Sequence, residues 1–274
     1  MENRIYMLPE WGERQKMGFV LTTEAGGVIL IDGGYSFEAV RVLRRLREIT
    51  GQAAPHLDAV ILTHPHSDHI GAFNVLMERH AAEFTADAVY CNFPSAAFIR
   101  RNGEPQEAVF ADAFFRLMPK FADKLHIVSG GDSVTVKGAE VRFLYSPDCE
   151  LTANVGNNAS LVFTVTAAGK RVLFTGDCGV EAGEKLIRMY GRELKADICQ
   201  MSHHGQNGVS RAFYELVRPD VCLWCAPKWL WDNDIGKGFD THTFRTVAVR
   251  RWMDEISPGH TDYVTMNGEQ RIDL

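Results

Sequence analysis

The sequence predicts an α/β chain built as two β-sheets packed face to face, with helices over both outer faces. Three observations predict it. Short β-branched and apolar runs such as "VILID", "AVILT" and "RVLF" alternate with stretches of helical periodicity. The alternation occurs twice, once in each half, with sheet first and helices outside. No Pro/Gly-rich linker, charge block or low-complexity segment divides the 274 residues, so one domain over 1–274 is expected, in halves of about 1–125 and 126–274.

Taken in order, short strands near Ile5, at "GFVLTT" and at "VILID" open the chain. A helix follows from Phe37, with Ser36 as its N-cap and Gly51 just past its end. Strand "AVILT" runs into "THPHSDH", a helix over "IGAFNVLMERH" and strand "AVYCN". The Phe-rich, partly helical segment 93–125 fits either a cap over a pocket or an amphipathic packing helix. In the second half, "HIVSGGDSVTVKGAEVRFLYS" alternates as antiparallel strands do, and "ASLVFTVTAAGKRVLFTGD" reads as a hairpin turning at Ala168 and Gly169. A helix over about 181–190 stops at Gly191, strand "DICQMS" ends in His203 and His204, and a helix capped by Ser210 stops before Pro219. Strand "VCLWC", a helix from about Thr243 and a tight hairpin at Asn267-Gly268 complete the chain.

Bulk properties narrow the function classes. Hydrophobic residues at 46% and charged ones at 23% describe an ordinary soluble globular protein. A net charge of −6 argues against gripping long nucleic acid through many phosphates. The N-terminus has no basic segment followed by an apolar core, and no run reaches membrane-spanning length, so a cytoplasmic location and no membrane partner are expected. The cysteines at 91, 149, 178, 199, 222 and 225 are dispersed, which suits reduced thiols. Cys222 and Cys225 form a CxxC, but inside a buried-strand composition, and they read as core residues.

The chemistry concentrates in "HPHSDH". Histidine supplies 10 of 274 residues, so three of them within six positions, around Asp68, is not a chance grouping. On an extended backbone His64 and His66 point the same way, while Asp68 and His69 fall where the chain turns into a helix. Imidazole with carboxylate suits zinc, iron or manganese; the alternative is a solvated polar loop. Two later strands end in similar residues: Asp177 follows "RVLF", and His203 and His204 follow "ICQ".

"THPHSDH" resembles the HxHxDH signature of the metallo-β-lactamase superfamily, and "IDGG", "NNASL", "TGD" and "SHHG" follow in that family's order over most of the chain. The resemblance implies a four-layer αββα sandwich with one or two divalent metal ions at one edge, zinc first and manganese or iron as alternatives. It implies that His64 and His66 bind one metal, that Asp68, His69 and a late histidine bind the second, and that Asp177 bridges them. Asp32 matches the aspartate that orients a metal-binding histidine from behind. The late ligand is His204 by analogy with single-histidine branches, which leaves His203 free to contact substrate or donate a proton; the reverse order is the alternative. Many branches carry another histidine before the hairpin. Here that position reads "NVGNNASLVF", which resembles the "NxxSLV" of ComEC-type competence proteins and implies that Asn157 and Asn158 occupy the position of the missing ligand, where they would bind substrate.

A two-metal centre lowers the pKa of bound water and stabilises charge developing in the transition state. With Asp68 and Asp177 its charge stays positive, which fits phosphodiesters, and the ComEC resemblance implies a phosphodiesterase or nuclease. Hydrolysis of a carboxylic ester, thioester, lactam or lactone, iron-dependent redox chemistry and a non-catalytic scaffold are the rival readings. Arg100 and Arg101 could meet phosphates or be solvated, His242 could line the pocket or cap a helix, and Trp229 and Trp231 could stack a base or pack.

Overall fold

The computed structural model describes all 274 residues. Its first half contains β1 (Arg4–Met7), β2 (Gly18–Thr22), β3 (Val28–Asp32), α1 (Ala39–Thr50), β4 (His56–Leu57), β5 (Ala59–Ile61), α2 (Ser67–Arg79), β6 (Thr85–Ala86), β7 (Val89–Cys91), α3 (Ala96–Asn102), α4 (Glu107–Leu117) and β8 (Leu125–Ile127). The second half contains β9 (Ser133–Val136), β10 (Ala139–Tyr145), α5 (Val155–Asn158), β11 (Val162–Ala167), β12 (Lys170–Phe174), α6 (Val180–Tyr190) and β13 (Ile198–Gln200). It continues with α7 (Arg211–Val217), β14 (Val221–Trp224), α8 (Lys228–Trp231), α9 (Thr246–Ile256), β15 (Thr261–Val264) and β16 (Gln270–Asp273).

Two seven-stranded sheets result, in the orders β16-β1-β2-β3-β5-β7-β8 and β15-β14-β13-β12-β11-β10-β9. The pairs β3–β5, β5–β7 and β7–β8 are parallel, as are β12–β13, β13–β14 and β14–β15; the other pairs in both sheets are antiparallel. Alternation along each strand decides the layers. In β2 and β3, Phe19, Leu21, Ile29 and Ile31 face the second sheet, where they meet Phe143, Phe163 and Phe174. Val20, Val28 and Leu30 face the opposite way, onto α1 and α2 through Val42, Leu43, Leu46, Ile70 and Phe73. The outer face of the second sheet is covered by α6, α7 and α9 through Leu186, Phe213, Tyr214, Val249 and Met253. With both faces buried, these strands read as near-continuous apolar runs.

Three expectations need correction. Asn267-Gly268 is not a hairpin: β15 pairs with β14 in the second sheet and β16 with β1 in the first, so the chain crosses between sheets there. For the same reason β16, at the C-terminal end, belongs to the first sheet. Ser36 does not cap the first helix from outside; it begins a 3₁₀ turn over Ser36–Glu38 that leads into α1. The helix expected from Thr243 starts at Thr246, because Asn233 holds the preceding loop through its amide bonds to the carbonyls of His242 and Phe244.

Cys222 and Cys225 are buried in different layers, one against the outer helices and one between the sheets. Trp231 packs on Trp224 and Arg250, and Trp229 donates to the Glu13 carbonyl. Arg100 pairs with Asp112 at the surface. No helix is long and apolar enough to cross a membrane.

Candidate metal centre

The C-terminal ends of β3, β5, β12 and β13 lie on one edge of the sandwich, and each delivers part of the site. Asp32 ends β3, and His64 follows β5. His66 is the N-cap of α2, so Asp68 and His69 occupy its first turn. Asp177 follows β12, with its backbone N–H donating to Ser160 Oγ. Gln200 at the end of β13 accepts from Thr175 N–H and donates to the Gly176 carbonyl, which fixes the turn before Asp177. His203 and His204 both adopt left-handed backbone, at φ 51° and 57°. Strain of this kind costs about 1–3 kcal/mol per residue and persists where the surrounding structure imposes it.

Two donor groups result: Asp68, His69, Asp177 and His204, and His64, His66 and Asp177, each with ligand atoms within 4.8 Å of one another. Asp177 belongs to both. Its Oδ1 lies 3.2 Å from His69 Nε2, while its Oδ2 lies 3.3 Å from His204 Nε2 and 3.8 Å from His64 Nε2. Asp68 Oδ2 lies 3.2 Å from His204 Nε2.

Behind the donors stand polar partners. Asp32 Oδ2 accepts from His69 Nδ1 at 2.7 Å and from Thr63 Oγ1 at 2.6 Å, and His204 Nδ1 donates to the Cys225 carbonyl at 3.1 Å. His203 is 18% exposed, with its Nε2 3.8 Å from Asp177 Oδ2. Asn157 Oδ1 is buried without a partner. Asn158, expected at the substrate, instead engages both ends of its amide in protein bonds, to the Ala153 carbonyl, Glu181 and Ala182 N–H, and ties α5 to α6.

Electrostatics follow from burial and proximity. Burial alone would lower the His204 pKa, but Asp177 and Asp68 raise it to about 9. His69 is likewise held well above the usual imidazole range by Asp177 and Asp32, against the effect of burial. Burial opposes ionisation of Asp177, yet His204, His69 and His203 keep its carboxyl well below the usual range. Burial, reinforced by His69 and His66, lowers His64 strongly, and burial also lowers His203.

The residues fit divalent metal. Nε2 of His64, His69 and His204 and Oδ1 of Asp177 are buried, lack hydrogen-bond partners and face one another. Each such atom left unsatisfied costs about 1–3 kcal/mol, and a shared cation satisfies all of them.

Several participants were not legible in the sequence. Thr63, Ser160 and Gln200 sit beside the motifs but are ordinary strand-end residues. Glu107 opens α4, with its Oε1 3.4 Å from His66 Nε2. A cavity of about 370 Å³ opens at this point, lined by His66, Ser67, Asp68, Gln106, Glu107 and Phe110. The segment 93–125 thus both packs and borders the site: Ala111, Phe114 and Leu117 are buried, while the first turn of α4 walls the cleft. His242 packs on Phe244 and stands outside both donor groups.

A family model described as "Beta-lactamase superfamily domain" matches residues 28–213. The chain is 26% identical over 181 residues to ComE operon protein 3 of Bacillus subtilis (strain 168), covering 66% of this chain and 21% of that protein. It is 34% identical over 68 residues to Competence protein ComA of Neisseria gonorrhoeae, covering 24% of this chain and 10% of that protein. The chain therefore spans only a minor part of these curated relatives. Among solved structures, the metallo-beta-lactamase fold protein YhfI from Bacillus subtilis aligns with a TM-score of 0.58 at 13% identity over 98% of this chain and 99% of that one. Zn(2+)-bound PqqB from Methylobacterium extorquens gives 0.58 at 12% identity, over 99% and 100%. CmlA, a diiron beta-hydroxylase from Streptomyces venezuelae, gives 0.59 at 13% identity, over 100% and 54%. The two facing sheets, the shared strand-end edge and a family match across residues 28–213 lead to one conclusion: this chain belongs to the β-lactamase superfamily and has its metallo-β-lactamase fold.

Proposed function

We propose that the chain is a metal-dependent hydrolase of phosphodiester bonds, acting on a small anionic substrate such as a nucleotide or a short nucleic acid. The charge of the donor set carries this reading. Four imidazoles and only two carboxylates gather at one edge, so two divalent ions there would keep a net positive charge. Such a centre favours substrates that bring their own negative charge, and the resemblance to the ComEC-type domain supports the same class.

His64, His66 and Asp177 would hold one ion, and Asp68, His69 and His204 the other, with Asp177 shared. Zinc, manganese or iron bound there supplies Lewis acidity and activation of water. The chain's own residues orient and exclude. Asp32 and the Cys225 carbonyl hold the His69 and His204 rings with Nε2 turned to the centre. His203, whose pKa burial lowers, would offer its N–H to a phosphoryl or leaving-group oxygen. Asn157, whose amide oxygen is buried without a partner, would offer it to the first ion or the substrate.

The test is metal content by mass spectrometry on protein purified without chelator, paired with hydrolysis of bis-p-nitrophenyl phosphate in added zinc or manganese. Bound metal, and turnover lost on Asp177→Ala, is the expected result. A metal-loaded protein inert on the phosphodiester but active on esters, thioesters or lactones would overturn the substrate class, and a metal-free, inert protein would overturn the whole reading.

A further inference from the structure

We infer that Glu107 is a positioning residue for His66 and thereby ties the helical segment 93–125 to the metal centre; this rests on the metal-centre reading above. The other three rings of the donor groups each have one nitrogen anchored on the protein. His64 Nδ1 reaches Thr63 Oγ1 at 3.1 Å, His69 Nδ1 reaches Asp32 at 2.7 Å, and His204 Nδ1 reaches the Cys225 carbonyl at 3.1 Å. Those anchors lie at or just beyond strand ends of the sandwich.

For His66 the anchor comes from elsewhere. Its Nε2 is buried and closes no hydrogen bond in this structure, and Glu107 Oε1, 3.4 Å away, is the one carboxylate oxygen within ion-pair reach. Glu107 stands outside both donor groups around Asp177, as does Asp32, which anchors His69. Gly156 permits the approach, because a side-chain carbon there would overlap the His66 ring and come within 2.9 Å of Glu107 Cδ. A carboxylate accepting the Nε2 proton leaves Nδ1 bare for a cation, fixes the ring plane and strengthens the ring as a donor. Glu107 also lines the cleft with His66, so the segment that walls the substrate side would set the geometry of one metal ligand.

The experiment is ¹⁵N NMR of the His66 ring in metal-free full-length protein, followed by chelator competition for zinc and manganese in the wild type, Glu107→Gln and Glu107→Ala. The Nε2–H tautomer is expected in the wild type, with a shift toward Nδ1–H in Glu107→Ala. The more weakly held metal equivalent should bind about 10–100-fold less tightly in Glu107→Ala, and by a smaller factor in Glu107→Gln, whose amide oxygen can still accept. An Nδ1–H tautomer in the wild type, or equal metal affinity in a folded Glu107→Ala protein, overturns the assignment and leaves the metal-centre reading standing. A wild-type protein that binds no metal overturns that reading instead, and the tautomer still decides the role of Glu107.

Discussion

The Asp32 carboxylate lies 2.7 Å from Nδ1 of His69, and both side chains are wholly buried. The same carboxylate accepts from the Thr63 N–H and hydroxyl, so one residue fixes both the ring and the start of the histidine motif. Asp32→Asn retains one oxygen for donors that now use two. The expected result is metal affinity reduced about 10–100-fold, with stability lower by roughly 2–4 kcal/mol. Chelator competition and urea unfolding check the two effects separately. Unchanged affinity would mean that His69 needs no anchor.

Gly205 ends the "SHHG" turn at φ 82°, and a Cβ there would overlap the six-membered ring of Trp224. Gly205→Ala combines left-handed strain with overpacking of a buried indole. A loss of about 2–4 kcal/mol is expected, together with displacement of His204 and loss of one metal equivalent. Thermal unfolding and metal analysis on the same sample test this. Wild-type stability with full metal content would show that the turn relaxes freely.

The strand-end donors were legible because strands alternate at period two and each strand run stops two or three residues before its polar cargo: "AVIL" before His64, "RVLF" before Asp177, "ICQ" before His203. The misreadings come from information that short stretches do not contain. Asn267-Gly268 has hairpin composition, but which sheet each flanking strand joins is decided by partners hundreds of residues away, such as Arg4 opposite Asp273. Asn158 looks like Asn157 in sequence, yet only α6 shows that its amide is already engaged. Glu107 carries no local signal, since an acid in the first turn of a helix is ordinary. Its meaning comes from His66.

Aromatic rings pack against one another between the two sheets. Phe174 stacks on Phe163 at 5.2 Å and meets Phe19 of the opposite sheet edge-on at 5.3 Å. It ends β12, three residues before Asp177, so a cavity there would loosen the strand that positions the shared carboxylate. Phe174→Ala should cost about 3–5 kcal/mol, while Phe174→Leu should cost distinctly less. Urea unfolding of both variants checks the order, and equal losses would mean that the ring's volume is not what matters.

Lys16 lies beneath the first helix with its side chain 1% exposed, its Nζ 3.7 Å from Glu38 Oε2 and 4.0 Å from the Trp11 ring centroid. Burial lowers its pKa to about 8, although Glu38 opposes the shift, and burial in turn raises the Glu38 carboxyl despite Lys16. Neither charge is fully compensated. Because the folded-state pKa of Lys16 is depressed, the unfolded chain binds more protons here between pH about 8 and 10.5. This group therefore makes unfolding free energy rise with pH across that window by roughly 3 kcal/mol and leaves it flat below. Lys16→Met should abolish the rise, which urea unfolding at stepped pH would show; an unaltered slope would place its origin elsewhere. Glu38→Gln alone leaves a buried ammonium and should cost about 3–5 kcal/mol at pH 7. The double variant Lys16→Met/Glu38→Gln removes both charges and should match or exceed wild-type stability, because an ion pair this poorly hydrogen-bonded does not recover its desolvation cost.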